Sequence, residues 1–337
     1  MYKMILLTGL ALNGMACSAS ADEGVLIDTQ ATDETKALFR NLKKLQDEGR
    51  VLFGQQEAIL YGHSWHGDRD RSDVKDVTGS HPTLIGLDYL SFTLPDTAHP
   101  QGNVRQLIVA AKETYRSGGV LTFCCHMSNP CNDGSFYWGS DSLKAIPVIF
   151  RPFHEFDGDW FWWGKGDCTK DEFITFWRFT VDYLRDSPGV HHFLYAFSPD
   201  CKFTTEEAYL DYYPGENYVD IVDFDDYWDF RPDGANNPAL AAEKLKIVAS
   251  IAAKRHKIAA FTETGLEGIV QPDWFIATLL PVLQQARIAY VMLWRNAFDL
   301  PNHYYAPFPG HPAVPDFMKF YKNEKIIFQN MIPEMYK

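Results

Sequence analysis

Ile146-Pro147-Val148-Ile149-Phe150-Arg151-Pro152-Phe153-His154-Glu155 is an apolar run that breaks abruptly into charged and aromatic residues. It reads as a short buried strand, Ile146 to Arg151, with reactive side chains just past its C-terminal end. The same form recurs on both sides of it. Val51-Leu52-Phe53-Gly54, Leu84 to Tyr89 and Val120 to His126 precede it; His192 to Phe197, Val219 to Phe224, Ile258 to Phe261 and Ile288 to Trp294 follow. Amphipathic stretches separate these runs. Asp33 to Glu48 carries Leu38, Phe39, Leu42 and Leu45 on one helical face, with Gly49 just past its end. Asn103 to Ser117 is closed by Gly118-Gly119, and Thr169-Lys170-Asp171-Glu172 is a capping-box start for a helix to Arg185. Pro238 to His256 is alanine-rich, and Trp274 to Ala286 is expected to kink or break at Pro281.

Eight strands alternating with helices in a single run predict the α/β class and a single (β/α)8 TIM barrel. A doubly wound open sheet is the rival. It would want a glycine-rich first turn for a nucleotide, and neither G-x-G-x-x-G nor G-x-x-x-x-G-K-[ST] follows any strand. No repeat, low-complexity run or linker divides residues 25–337, which are therefore expected to form one domain. His126, Glu155, Asp200, Tyr227, Glu263 and Arg295 each follow an apolar run closely. Barrel chemistry sits at the C-terminal ends of strands, so these side chains should converge on one mouth. Alternation along a strand puts Arg151, Phe153 and Glu155 on one face, Phe261 with Glu263, and Trp294 with Asn296.

Two glutamates across a barrel mouth suit glycoside hydrolysis, one protonating the leaving oxygen while the other attacks the anomeric carbon. The plain alternative is a pair of structural salt bridges, for example Glu155 with Arg151. The stretch Asp157-Gly158-Asp159-Trp160-Phe161-Trp162-Trp163-Gly164 shifts the balance toward chemistry. Four large rings in a loop directly after a Glu suit stacking against sugars, although some must belong to the core. Metal readings fail on spacing. His154-Glu155 lacks the second His of a metalloprotease helix, since the fifth position is Gly158. The run Asp220, Asp223, Asp225, Asp226, Asp229 lacks the EF-hand pattern, and a strand-end set of hydrogen bonds explains it better. No metal or cofactor is expected.

A net charge of −13 argues against nucleic acid and anionic lipid as ligands and is compatible with a neutral polymer. Residues 1–16 read as an export signal, with Lys3, an apolar core from Ile5 to Leu12, and a cleavage site at Met15-Ala16-Cys17. Leu12-Asn13-Gly14-Met15-Ala16-Cys17 resembles a bacterial lipobox, loosely, for want of an aliphatic residue nearer the cysteine. Cys17 would be the lipidated first residue, residues 17–24 a tether, and the protein an exported outer-membrane lipoprotein that meets the membrane only through its anchor. An ordinary secretory signal is the alternative. Five further cysteines (Cys124, Cys125, Cys131, Cys168 and Cys201) leave at least one thiol free. A Cys131–Cys168 bridge is expected between two adjacent loops.

At this point the chain resembles glycoside hydrolase family 26, the bacterial β-mannanases. The resemblance runs from Phe53-Gly54-Gln55-Gln56 through Ile149 to Glu155, Gly158 to Gly164, Ser198-Pro199-Asp200, Tyr212 to Gly215, Asp225-Asp226-Tyr227, Thr262 to Gly265 and Trp294-Arg295-Asn296. It implies Glu155 as acid/base and Glu263 as nucleophile of a retaining endo-β-1,4-mannanase acting on mannan, galactomannan or glucomannan as a monomer. His154 would bond the sugar 2-hydroxyl or the nucleophile, and Tyr227 would hold the nucleophile. His126, Trp160 and Trp294 match positions around the scissile subsites, and Arg295 one toward the non-reducing side. One departure stands out. Only 19 residues separate His126 from Ile146, so the third helix is stunted or residues are missing there. The alternatives are a mannobiose-releasing exo-enzyme, a β-glucanase or xylanase of the same fold family, and a catalytically dead glycan-binding lipoprotein.

Overall fold

A computed structural model describes residues 25–88, 104–126, 146–186 and 189–337. The export signal, Cys17, the tether, Tyr89, Asn103, Cys131 and the connection 127–145 lie outside the described residues. The predicted strands form in order: β1 (Val51–Gln56), β2 (Leu84–Asp88), β3 (Val120–Cys124), β4 (Val148–Arg151), β5 (Phe193–Phe197), β6 (Ile221–Val222 and Asp225–Asp226), β7 (Ile258–Ala259 and Phe261–Thr264) and β8 (Tyr290–Leu293). Each pairs in parallel with the next. Closure comes from β8 against β1, with Leu52 opposite Tyr290 and Gln55 opposite Leu293. The result is the predicted (β/α)8 barrel.

Two apolar layers follow from strand alternation. Leu52, Leu84, Val120, Ile149, Leu194, Ile258 and Met292 fill the interior, in one cluster with Leu38, Phe39, Leu42 and Leu45 of helix α1 (Asp33–Glu48). Helix α1 therefore closes the N-terminal end, and Gln46 accepts from the Ala259 amide at 2.7 Å to fix it there. The alternate residues, such as Phe53, Phe123, Phe150 and Phe261, pack outward against the surrounding helices. These are α2 (Val104–Arg116), α3 (Lys170–Asp186), α4 (Pro238–Arg255) and the segment 275–283. The capping box forms on α3: the Thr169 amide donates to Glu172 at 2.9 Å, and the Glu172 amide returns to Thr169 Oγ1 at 3.4 Å.

Several boundaries differ from expectation, for physical reasons. The break before Pro281 takes the form of a π-helical stretch, Phe275–Leu279, ahead of α-helical Leu280–Leu283, because Pro281 has no N–H to continue the upstream ladder. β6 and β7 run past their predicted ends, to Asp226 and Thr264, because polar residues there face neighbouring strands rather than solvent. A hairpin (Tyr61–Gly62 with Trp65–His66), a helix (Val314–Tyr321) and a strand (Ile326–Ile327) pairing with β1 carried no periodic signal strong enough to be read.

Candidate active site

Arg151 ends β4 on the interior face, fully buried, and organises the mouth. Its Nη1 donates to Glu263 Oε1 at 2.9 Å, and its Nη2 donates to both oxygens of Asp225, at 2.8 and 3.1 Å. Nε reaches Ser198 Oγ at 3.2 Å. The alternative reading, a structural pair of Arg151 with Glu155, is not what forms: the guanidinium serves the opposite carboxylate. Burial of a charge this deep is sustained only because each of its nitrogens has a partner.

The parity argument is also corrected. Arg151 points inward, but Phe153 packs outward onto Phe173 and Trp177 of α3. After Arg151 the backbone leaves the strand, and Phe153 and Glu155 take positive φ values of 53° and 52°. That left-handed turn, held by Trp163 Nε1 donating to the His154 carbonyl at 2.9 Å, swings Glu155 into the mouth. On β7, Phe261 stacks outward on Phe224 while Glu263 faces Arg151. A register shift permits this: Phe261 pairs with Val291 and Thr264 with Leu293, three steps against two.

The two glutamates meet. Single carboxylate oxygens of Glu155, Asp225 and Glu263 all lie within 4.8 Å of one another. Burial first, and then the charges of Glu263 and Asp200, push the Glu155 carboxyl up to about 8. Trp160 opposes this by donating Nε1–H to Glu155 Oε2 at 2.8 Å. Its ring is 49% exposed and lies over Gly158, where a Cβ would come within 2.5 Å of it. Of the other three rings, Trp163 is buried, whereas Phe161 and Trp162 are half-buried against the core. Glu263 accepts from the Tyr227 hydroxyl at 3.1 Å as well as from Arg151.

His126 lies beside them, its ring 4.7 Å from that of His154 and 6.5 Å from Trp294. Burial opposes its protonation, but Asp88 at 2.7 Å, with Glu263 and Glu155 beyond, outweighs that and lifts it to about 9. His154 is held well below its ordinary value by burial and by the neighbouring charges of His126 and Arg151. Its Nδ1 is buried with no partner among the described residues. Arg295 donates to the Tyr61 hydroxyl at 3.2 Å, and that hydroxyl donates to Glu57. Burial, aided by Asp88, pushes Glu57 up to about 8. Asp200 lies at the rim, its amide bonded to Asp157 at 2.7 Å.

The sequence matches the profile of glycosyl hydrolase family 26 over residues 27–144 and 140–307. The chain belongs to glycoside hydrolase family 26. A mannan endo-1,4-β-mannosidase of Bifidobacterium adolescentis is 30% identical over 363 residues, covering 91% of this chain and 36% of that protein. The chain thus spans little more than a third of that relative's length. A family 26 β-mannanase from Bacteroides ovatus superposes with a TM-score of 0.82 at 35% identity, over 91% of this chain and 98% of the other. A modular endo-β-1,4-mannanase from Cellulomonas fimi gives 0.81 at 30%, over 93% and 79%. The two matched stretches of the family 26 profile meet at residues 140–144, inside the short connection that the sequence singles out.

Glu57, Tyr61 and Asp88 escaped sequence reading, as did the pairing of Arg151 with Asp225. Glu57 and Asp88 follow the same strand-end rule that found the others and were legible by it. Cys168 is a free thiol directed at the Thr169 carbonyl, 3.6 Å away, and Cys131, its expected partner, lies outside the described residues. Glu155, Asp225 and Glu263 resemble a carboxylate metal cage in spacing, but the Arg151 guanidinium already supplies the positive charge to two of them.

Proposed function

We propose that this chain is a retaining endo-β-1,4-mannanase that hydrolyses mannan, galactomannan or glucomannan by double displacement. The observation that carries the reading is that one oxygen of Glu155 lies within 4.8 Å of one oxygen of Glu263 across the mouth. Retention needs carboxyl groups about 5–5.5 Å apart, whereas inversion needs roughly 6.5–9.5 Å to admit a water between them. Glu155 is the acid/base: pushed up to about 8, it keeps its proton at neutral pH and delivers it to the leaving oxygen. Glu263 is the nucleophile, with one oxygen on Arg151 and the other on Tyr227, so that its attack is aimed. In the second step Glu155 takes a proton from water, which opens the glycosyl-enzyme.

His126, His154, Trp160, Trp294 and Arg295 bind the sugars. Half-exposed Trp160 offers indole surface beside the proton donor. Support for mannan comes from the relatives, which carry that activity in their names. The proposal extends to location: the lipobox-like Leu12–Cys17 makes the enzyme an outer-membrane lipoprotein.

Reducing-sugar release from soluble mannan tests the activity, and NMR of fresh hydrolysate tests the stereochemistry. The β-anomer should appear first; initial α-anomer would reassign Glu263 to a base. A mixed series of manno-oligosaccharides marks endo action, while mannobiose alone would replace it with the exo-acting alternative.

A further inference from the structure

We propose that Asp88, Cys124 and His126 form a binding site for a zinc-class divalent cation, and that an ion there shuts the mouth of the barrel. The inhibitory half of this statement rests on the proposed hydrolase function; the binding half does not. One ligand atom from each side chain lies within 4.8 Å of the others. Cys124 Sγ is 3.9 Å from His126 Nδ1, which is 2.7 Å from Asp88 Oδ2. A tetrahedral zinc with bonds of about 2.3 Å to sulfur and 2.0–2.1 Å to nitrogen and oxygen wants separations of about 3.5 and 3.3 Å. To admit it, Asp88 must withdraw from His126 by about 0.6 Å and the Cys124 sulfur must close on His126 by about 0.4 Å.

The donor set selects the ion. One sulfur, one imidazole and one carboxylate suit zinc and its neighbours, whereas magnesium and calcium want oxygen throughout. The outer contacts are those of a held ligand: Gln56 Nε2 reaches Cys124 Sγ at 3.6 Å from β1. Entry is from the mouth, where the side chains of Asp88 and His126 are 14% and 26% exposed while Cys124 is buried beneath them. Coordination replaces the Cys124 thiol proton and the proton on His126 Nδ1, both passing to solvent, while Nε2–H remains. The ion then puts a positive charge beside the His126 ring at the mouth, and its open fourth position captures water or a sugar hydroxyl.

The test uses the full chain with zinc alone, then cobalt as a spectroscopic stand-in. Zinc should bind by calorimetry and inhibit mannan hydrolysis, with activity restored by a chelator. Cys124→Ser should hydrolyse mannan as the parent does without metal, and should need roughly tenfold more zinc, or beyond, for binding and inhibition alike. Cobalt should give a thiolate charge-transfer band in the parent that zinc bleaches, a readout requiring neither activity nor a folded variant. No band, or a Cys124→Ser enzyme inhibited at the parent's zinc concentration, overturns the site. A band on a protein that never cleaves mannan would keep the site and remove the mannanase.

Discussion

Glu155 and Glu263 are the same residue type with opposite surroundings, and the difference between them is open to experiment. Among the described residues the Glu155 carboxyl receives a hydrogen bond from Trp160, and burial and two carboxylates press on it. Glu263 receives Arg151 and Tyr227. An activated aryl leaving group needs no proton. Glu155→Ala should therefore lose roughly 10²–10⁴-fold on polysaccharide yet form the glycosyl-enzyme from an aryl mannoside, with azide restoring turnover as a β-azide product. Glu263→Ala should lose both substrates; equal losses on the aryl substrate and no β-azide from either would refute the assignment. The pH profile follows with a definite sign. The acid must be protonated, so kcat/KM should fall as pH rises through about 8. Trp160→Phe removes a donor that favours the charged form, so this alkaline limb should move upward, by about half to one pH unit. A downward move would mean that Trp160 does not tune Glu155.

At the level of elements, short-range rules and long-range ones can be weighed against each other. The capping box on α3 is local: Thr169→Ala should cost about 1 kcal/mol in urea unfolding and leave mannan hydrolysis unchanged. The anchor of the β6–α4 loop is not local. Lys244, buried on α4, bonds Asp229 at 2.7 Å and approaches Asp226 at 3.7 Å, beneath the loop that carries Tyr227. Burial already pushes Asp226 up to about 8 against that lysine. Lys244→Met leaves two buried carboxylates without a cation, so unfolding free energy should drop by about 3–5 kcal/mol. The sign with pH follows from the raised native value of Asp226: protonation relieves the buried charge, so the deficit that its charge causes should fade as pH falls below about 8 and grow above it. A deficit independent of pH would show that only packing was lost.

The whole molecule is a barrel plugged at one end by α1 and open at the other, with 13 net negative charges. A plugged N-terminal end leaves the strand C-termini as the place where eight different segments can present side chains together. The acidic surface implies a ligand without negative charge, and the rings of Trp160 and Trp294 offer the contact that a neutral sugar chain requires. Location is a property of the chain as a whole and turns on one atom. If Cys17 carries lipid, Cys17→Ala should move the protein from the membrane fraction to the soluble one. Unchanged fractionation would reduce the lipobox to an ordinary signal.

By itself the sequence determined the alternation of strands and helices, the barrel, and the two glutamates at the ends of β4 and β7. These follow from periodicity and from residues adjacent in the chain, where a 2.0 or 3.6 repeat is directly visible. It also pointed to Tyr227, His126 and Trp294 through strand ends and resemblance. Only the tertiary structure decided how the glutamates came to face one another, and it did so against the alternation rule: a left-handed turn redirects Glu155, and a bulge redirects Glu263. It alone gave Arg151 its partners, 74 and 112 residues away. Such pairings exist because closing eight strands brings distant segments together, and no local pattern encodes which buried carboxylate will neutralise a given cation. Strand pairing likewise set Asp88 of β2 opposite Cys124, a juxtaposition with the Cys124 and His126 face that residue spacing within β3 could not disclose.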